Sequence, residues 1–331
     1  MVDLGRIAVL GGGSWATALA KLLLGTQKRI TWYMRKHDRI DEFIRNRHNP
    51  LYLTDVTFDV ERIDFTSDIT EACEHADTLV VAIPSPYFKE QADRIQCRLE
   101  SKNIVSAVKG IVPDVNMIVT DYFMHHFGCR DQNLLVIGGP CHAEEVALER
   151  LSYLTIGCHD HEKCRTFADC LKGKKLKTIL STDVDGIEYG AVLKNVYAIA
   201  AGIVSGMKWG DNFMAMMVSN ATREMSRFVE AVDPARRNIC DSAYLGDLLV
   251  TAYSKFSRNH NFGSMIGKGY SVKAAKMEMA MVAEGYYGTK CVHEINESYE
   301  VYMPILECVY NILYRGMKPQ TAFGLITDSF C

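Results

Sequence analysis

Ile7-Ala8-Val9-Leu10-Gly11-Gly12-Gly13-Ser14-Trp15-Ala16-Thr17-Ala18-Leu19-Ala20 runs from four apolar residues through three glycines into a helical pattern of small and apolar side chains. Between a strand and a helix, Gly-x-Gly-x-x-Ala is a dinucleotide-binding fingerprint. Gly11 allows the tight turn, Gly13 lets a pyrophosphate approach the backbone, and Ala16 lets the helix lie close on the sheet. Ser14 and Trp15 open that helix, whose first N–H groups lack partners and suit a phosphate. Glycines alone would mark only a turn; the strand before and the helix after them point to the dinucleotide.

Working outward, short β-rich runs recur at Ile7–Leu10, Ile30–Tyr33, Thr78–Ile83, Ile104–Val108, Leu134–Ile137 and Tyr153–Ile156, separated by helical stretches such as Tyr87–Leu99. This alternation predicts βαβ units and a parallel sheet, with ligands at the carboxyl ends of the strands. After about Ser181 the pattern becomes helical, at Asp185–Met207, Ala215–Ala231, Val272–Tyr286 and Met303–Tyr314. The fold expected is an α/β Rossmann-type dinucleotide-binding domain over 1–183, then an all-α substrate and catalytic domain over 184–331.

The second strand ends Trp32-Tyr33-Met34-Arg35-Lys36, without the acidic residue that would bind a ribose 2′-hydroxyl. Arg35, and less specifically Lys36, suits a 2′-phosphate, so the cofactor is NAD or NADP, with NADP at least tolerated.

A chain of 331 residues with 48% hydrophobic and 23% charged residues is globular, and a formal charge of -3 gives no reason to expect nucleic acid as a partner. The N-terminus lacks a basic n-region, and the apolar run from Ala191 to Val204 is broken by Lys194 and Asn195, so neither a signal peptide nor a membrane span is expected. Eleven cysteines without a Cys-x-x-Cys pair fit free thiols and a cytoplasmic location. The cluster Cys158-His159-Asp160-His161-Glu162-Lys163-Cys164 matches no compact four-ligand spacing, and no metal is expected.

The helix Asp185–Met207 is apolar on most sides, with Val192, Val196, Ile199 and Ile203 on one stripe and Leu193, Tyr197 and Val204 on another. It should be buried, yet it carries Lys194 on a stripe with Ala191, Ala198, Ala201 and Ser205. Small neighbours leave space beside the ammonium and suggest a cleft, and burial would lower its pKa toward neutrality, where it can exchange a proton. A stem that snorkels to the surface, or an internal ion pair, remains open.

The run Asp185-Gly186-Ile187-Glu188-Tyr189-Gly190-Ala191-Val192-Leu193-Lys194-Asn195-Val196-Tyr197-Ala198-Ile199-Ala200-Ala201-Gly202 resembles the signature of the NAD(P)-dependent glycerol-3-phosphate dehydrogenase family. Further matches follow in the family's order: the Gly13–Ala20 run, Lys109-Gly110, Gly139-Pro140, Gly246-Asp247-Leu248, Ser257-Arg258-Asn259 and Val282-Ala283-Glu284-Gly285.

The resemblance implies reduction of dihydroxyacetone phosphate to sn-glycerol 3-phosphate, a precursor for phospholipid synthesis. Lys194 would donate the proton, Asp247 would hold its ammonium, and Lys109 would lie near substrate and nicotinamide. Arg258 and Asn259, with Ser257 beside them, would bind the substrate phosphate, and Gly139 and Cys141 would lie near the substrate. Arg258, Glu284, Val282 and Ala143 would touch the cofactor. A small phosphorylated substrate is the implied partner, and a homodimer is left open.

The chain departs from the family in reading Gly139-Pro140-Cys141-His142-Ala143, where a thiol replaces a hydroxyl, and Asp241-Ser242-Ala243-Tyr244-Leu245, where glycines are usual. Two other readings stand beside this one: a related two-domain hydroxy-acid dehydrogenase, and a redox sensor that binds the dinucleotide without turnover.

Overall fold

The computed structural model describes residues 3–254, 256–279 and 283–330. The chain divides into two compact units, Met1–Val108 with Met117–Ile187, and Lys109–Asn116 with Glu188–Cys331. Residues 109–116 thus leave the first stretch of sequence to join the helical unit.

The first unit is a sheet of eight strands: β1 (Ile7–Leu10), β2 (Ile30–Tyr33), β3 (Ile63–Thr66), β4 (Thr78–Val81), β5 (Asn103–Ser106), β6 (Leu134–Gly138), β7 (Ser152–Cys158) and β8 (Leu176–Ser181). Its order is β3-β2-β1-β4-β5-β6-β7-β8, with Val9 of β1 opposite Trp32 of β2 and Val80 of β4. The first six strands follow the doubly wound dinucleotide-binding order, so the strand sequence reverses at β1 and β4, where such sheets hold ligands. Neighbours are parallel except β6 and β7, which are antiparallel. This corrects the all-parallel expectation.

Seven helices are described in this unit: α1 (Ser14–Leu24), α2 (His37–Asn46), α3 (Ile69–Glu74), α4 (Ser85–Ala92), α5 (Val119–Phe127), α6 (Ala143–Ala147) and α7 (His161–Cys170). The helix expected over Tyr87–Leu99 ends at Ala92. Beyond it the Thr70 hydroxyl donates to the carbonyl of Arg94 (3.1 Å) and accepts from the N–H of Gln96 (3.2 Å), which draws the chain toward α3. The core on the β2 side is aromatic, with Trp32 edge-on to Phe43 at 5.2 Å and near Phe58 at 5.6 Å.

The second unit is helical: α8 (Val184–Met207, whose first turn belongs to the first unit), α9 (Asp211–Val232), α10 (Asp247–Tyr253), α11 (Arg258–Gly267), α12 (Val272–Glu278), α13 (Glu284–Tyr299), α14 (Pro304–Arg315) and α15 (Pro319–Gly324). The single helix expected over Val272–Tyr286 is two, α12 and α13. At 24 residues α8 is longer than the apolar run considered above and passes a test of length and composition for a membrane span. Of its apolar window, 89% is buried inside the protein, which makes it a core helix.

Four glycines let α8 and α11 touch backbone to backbone. A Cβ on Gly202 would lie 2.0 Å from the carbonyl oxygen of His260, on Gly206 2.4 Å from that of Ser264, on Gly263 2.1 Å from that of Ile199, and on Gly267 2.2 Å from that of Ile203. No side chain fits at any of these positions. Elsewhere, the N-terminus of α14 is capped from α9: the carboxylate of buried Glu224 accepts the N–H groups of Ile305 (2.8 Å) and Leu306 (2.9 Å). Burial pushes that carboxyl up to about 7, against the two N–H groups that favour its charged form.

Candidate active site

In the first unit, the glycine loop leaves the carboxyl end of β1. Gly11 has φ +131°, and a Cβ there would lie 2.7 Å from the carbonyl oxygen of Ala82, so only glycine fits. The loop is fastened from outside itself. The Trp32 indole donates to the Gly11 carbonyl (2.7 Å), and the Asn49 amide donates to the Gly12 carbonyl (3.1 Å) and to the Thr17 hydroxyl (2.8 Å). Asn49 is buried, and sequence reasoning missed it because its partners lie more than thirty residues upstream.

Gly13 caps α1 in an extended conformation without a side-chain cap, and a Cβ on it would meet nothing within 4 Å. The first turn of α1 opens with half-buried Ser14 and Trp15 and has no side-chain cap on its N–H groups, while Ala16 is fully buried. A pyrophosphate fits this loop.

Arg35 is exposed just past the end of β2. Burial raises the phenol of its neighbour Tyr33, whereas the charges of Arg94 and Arg35 pull it back down, which places two guanidinium groups near the end of this strand. Arg94, which donates to Gln91 at 3.3 Å, was not anticipated from the sequence.

At the end of β6, Gly139 has φ +105° and a Cβ there would approach the Tyr153 carbonyl oxygen to 3.0 Å. The Cys141 thiol donates to that same oxygen at 2.9 Å and is buried, so the thiol replacing the family's hydroxyl ties its loop to β7. Ala143 is buried at the start of α6, which packs on α1. The stretch Cys158–Cys164, which runs into α7, also has a structural use, because Asp160 accepts the N–H groups of Glu162 (3.0 Å) and Lys163 (3.1 Å) as the cap of α7.

In the second unit, Lys194 is 3% exposed and its ammonium donates to Oδ1 of Asp247, itself 1% exposed. The snorkelling alternative fails, and the side chain is held in an internal ion pair. The other carboxylate oxygen, Asp247 Oδ2, is buried and has no hydrogen-bond partner among the described residues. Burial lowers the pKa of Lys194 to about 8; Asp247 opposes the shift and Lys109 adds to it.

Asp247 opens α10 directly after a π-helical turn, Ser242–Gly246. Tyr244 in that turn is buried against α8, where a Cβ on Gly190 would come within 2.9 Å of its ring. The departure from the family's glycines is thus packed by a glycine on the opposing helix.

Lys109 is half-buried, and its backbone carbonyl accepts the amide of Asn195 at 2.8 Å. Asn195 follows Lys194 on α8, so one helix carries the buried ammonium and anchors the segment of the second cation. Sequence reasoning quoted Asn195 without giving it a role.

At the start of α11, the Ser257 hydroxyl accepts the N–H of His260 at 3.2 Å, and Arg258 is half-buried. The side-chain amide oxygen of Asn259, Oδ1, accepts the N–H of Gly285 at 2.9 Å. A Cβ on Gly285 would lie 2.5 Å from the carbonyl oxygen of Asn195, which brings half-buried Glu284, the first residue of α13, close to α8. Ser257 and Asn259 therefore carry structural hydrogen bonds at the sites expected for phosphate contact. Val282 lies outside the described residues.

This arrangement can anchor a dinucleotide on one unit and exchange a proton near neutral pH in the other. Residues 6–164 match the model of the NAD-dependent glycerol-3-phosphate dehydrogenase N-terminus, and residues 183–324 match that of its C-terminus. The chain is 32% identical over 325 residues to a glycerol-3-phosphate dehydrogenase [NAD(P)+] of Thermoanaerobacter sp., covering 97% of each chain. It is 34% identical over 316 residues to one from Ectopseudomonas mendocina, covering 96% of this chain and 92% of the relative. Among solved structures it is similar to the glycerol-3-phosphate dehydrogenase of Coxiella burnetii, with a TM-score of 0.89 and 27% identity over 97% of this chain and 98% of that one.

Proposed function

The chain belongs to the NAD-dependent glycerol-3-phosphate dehydrogenase family, and on that premise we propose how its residues divide the work of the reaction. The enzyme interconverts dihydroxyacetone phosphate and sn-glycerol 3-phosphate with NAD or NADP. Family membership over nearly the whole chain favours this reading over the other hydroxy-acid dehydrogenase and the sensor without turnover.

When bound, the nicotinamide supplies or accepts the hydride. Gly11, Gly13 and the first turn of α1 hold the pyrophosphate, and Arg35 with Arg94 offers guanidinium groups to a 2′-phosphate. Lys194 gives a proton to the ketone oxygen in reduction and takes it back from the hydroxyl in oxidation. The developing alkoxide is stabilised by the same ammonium. Asp247 holds that ammonium through one oxygen and offers the other to a substrate hydroxyl. Lys109 keeps the local potential positive, which favours the anionic substrate, while Arg258 and the N-terminus of α11 serve its phosphate. Ser257 and Asn259 shape this end of α11, the first by capping it and the second by tying it to α13.

The observation that carries this division is a buried lysine near pKa 8 whose carboxylate partner has one oxygen without a hydrogen-bond partner among the described residues. The test is Lys194→Ala with dihydroxyacetone phosphate and NADH or NADPH. The expected kcat falls by roughly two orders of magnitude or more, the scale of a positioned acid–base group, while dinucleotide binding followed by fluorescence persists. Turnover within a few-fold of wild type would overturn the assignment.

A further inference from the structure

A second concave site lies in the first unit, at the end of α1 away from the glycine loop. It encloses about 460 Å³, within the usual size of small-molecule pockets. Its walls come from the last turn of α1 (Lys21–Gly25), the segment before β3, the end of α6 with the start of β7, and the turn joining α7 to β8. α1 has 11 residues, so its two ends are separated by about 16 Å at 1.5 Å per residue. The concavity is therefore distinct from the pyrophosphate loop.

Its charge is one-sided. Six cations line it (Lys21, Arg62, Arg150, Lys172, Lys174 and Lys175) against two acids, Asp59 and Glu149, in a chain whose net charge is -3. Three of the cations have structural work. Arg62 donates to the carbonyls of Leu24 (2.7 Å), Gln27 (2.5 Å) and Lys28 (3.0 Å), Lys21 donates to the carbonyl of Thr57 (3.0 Å), and Lys172 pairs with Asp169 (2.6 Å). The side chains of Arg150, Lys174 and Lys175 make no hydrogen bond or ion pair with any described residue, and all three are exposed. Leu24, Phe58, Val146 and Leu176 also line it, each with 5–8% of its surface exposed, and supply an apolar floor.

We propose that this concavity binds a phosphate monoester whose carbon part is apolar, with the phosphate held by Arg150, Lys174 and Lys175 and the carbon part against the apolar wall. Like charges around a concavity repel one another, and a dianion relieves that repulsion while making charge-assisted hydrogen bonds. An apolar wall beneath them adds nothing for inorganic phosphate and favours an alkyl or acyl chain. Two sources share this chemistry: a soluble alkyl phosphate and the headgroup region of phosphatidate in a membrane.

The experiment uses the full chain saturated with NADH, so that the dinucleotide loop is occupied, and the double substitution below separates this concavity from the substrate site. Octyl phosphate and inorganic phosphate are titrated by calorimetry, and phosphatidate-containing vesicles are tested by co-sedimentation. The expected result is octyl phosphate binding that weakens with added salt, exceeds that of inorganic phosphate, and drops at least about tenfold in Lys174→Glu/Lys175→Glu. Both lysines are exposed, so the variant should fold and retain its KM for dihydroxyacetone phosphate. Vesicle binding lost in the same variant supports the site with a lipid source, and octyl phosphate binding without vesicle binding supports it with a soluble source. Absence of both at millimolar ligand, or binding indifferent to the double substitution, overturns the proposal. Equal affinity for inorganic phosphate overturns the role of the apolar wall. The readout is binding, so failure of the proposed catalytic roles would leave the result interpretable.

Discussion

Gly202→Ala adds one methyl group where α8 meets α11, about two helical turns beyond Lys194. The new Cβ would sit 2.0 Å from the carbonyl oxygen of His260. Ordinary carbon–oxygen contact needs about 3.4 Å, so the two helices must part locally by roughly 1.4 Å. Both sides of the contact are backbone, and no rotamer change can absorb the clash. Overpacking of this kind costs about 1–3 kcal/mol, and the upper end is expected here. α11 begins with Arg258, proposed above to serve the substrate phosphate, so parting the helices also moves Arg258 relative to Lys194. A misplacement of about 1 Å can cost on the order of 100-fold in rate. The assay is kcat/KM for dihydroxyacetone phosphate together with thermal unfolding, with NADH affinity measured in parallel. We expect a melting temperature lower by several degrees, a large loss of kcat/KM and near-normal NADH binding. Gly324→Ala is the control, since a Cβ there meets nothing within 4 Å. Wild-type melting and wild-type kcat/KM in Gly202→Ala would refute the interlock.

Asp247→Asn removes the charge that raises the pKa of Lys194 against burial, so the ammonium should lose its proton below the wild-type value of about 8. Reduction needs the protonated form, so its rate should begin to fall at a lower pH in the variant than in wild type, whereas oxidation should reach its plateau at a lower pH; pH–rate profiles that break at the same place in both enzymes would sink this coupling. Arg35→Ala should raise KM for NADPH more than for NADH, because only the former carries a 2′-phosphate, and equal effects would remove Arg35 from the cofactor site. Glu224→Ala leaves the buried N–H groups of Ile305 and Leu306 without their acceptor, at a cost of about 1–3 kcal/mol for each buried group. Denaturant titration should report that loss, and unchanged stability would show that water replaces the carboxylate.

What local sequence determines here is whatever depends on neighbours along the chain. The turn at Gly11 and the strands Ile7–Leu10 and Ile30–Tyr33 were legible because fully buried strands read as short apolar runs and the tight turn demands glycine. The burial of the helix that carries Lys194 was legible too, because a helix that is apolar on most sides has nowhere else to lie, whereas the place of the ammonium itself stayed open between surface and ion pair until the fold set Asp247 beside it. β3, Ile-Asp-Phe-Thr, and β8, Leu-Lys-Thr-Ile-Leu-Ser, were missed because they are the two edges of the sheet, where partial exposure dilutes the apolar pattern. The reversal at β7 was invisible because a strand has the same hydrophobic pattern in either direction.

The partners of polar groups depended on tertiary structure in the same way. Asp247 lies 53 residues from Lys194, and its part in the site came from family resemblance rather than from spacing. Asn195 reaches the carbonyl of Lys109 across 86 residues, and Trp32 and Asn49 fasten the glycine loop from other elements. The spacing of Gly202 and Gly206 can be seen in the chain, but only the fold sets them against Gly263 and Gly267. Periodicity states which face of an element is buried, whereas the identity of what it is buried against is decided by packing.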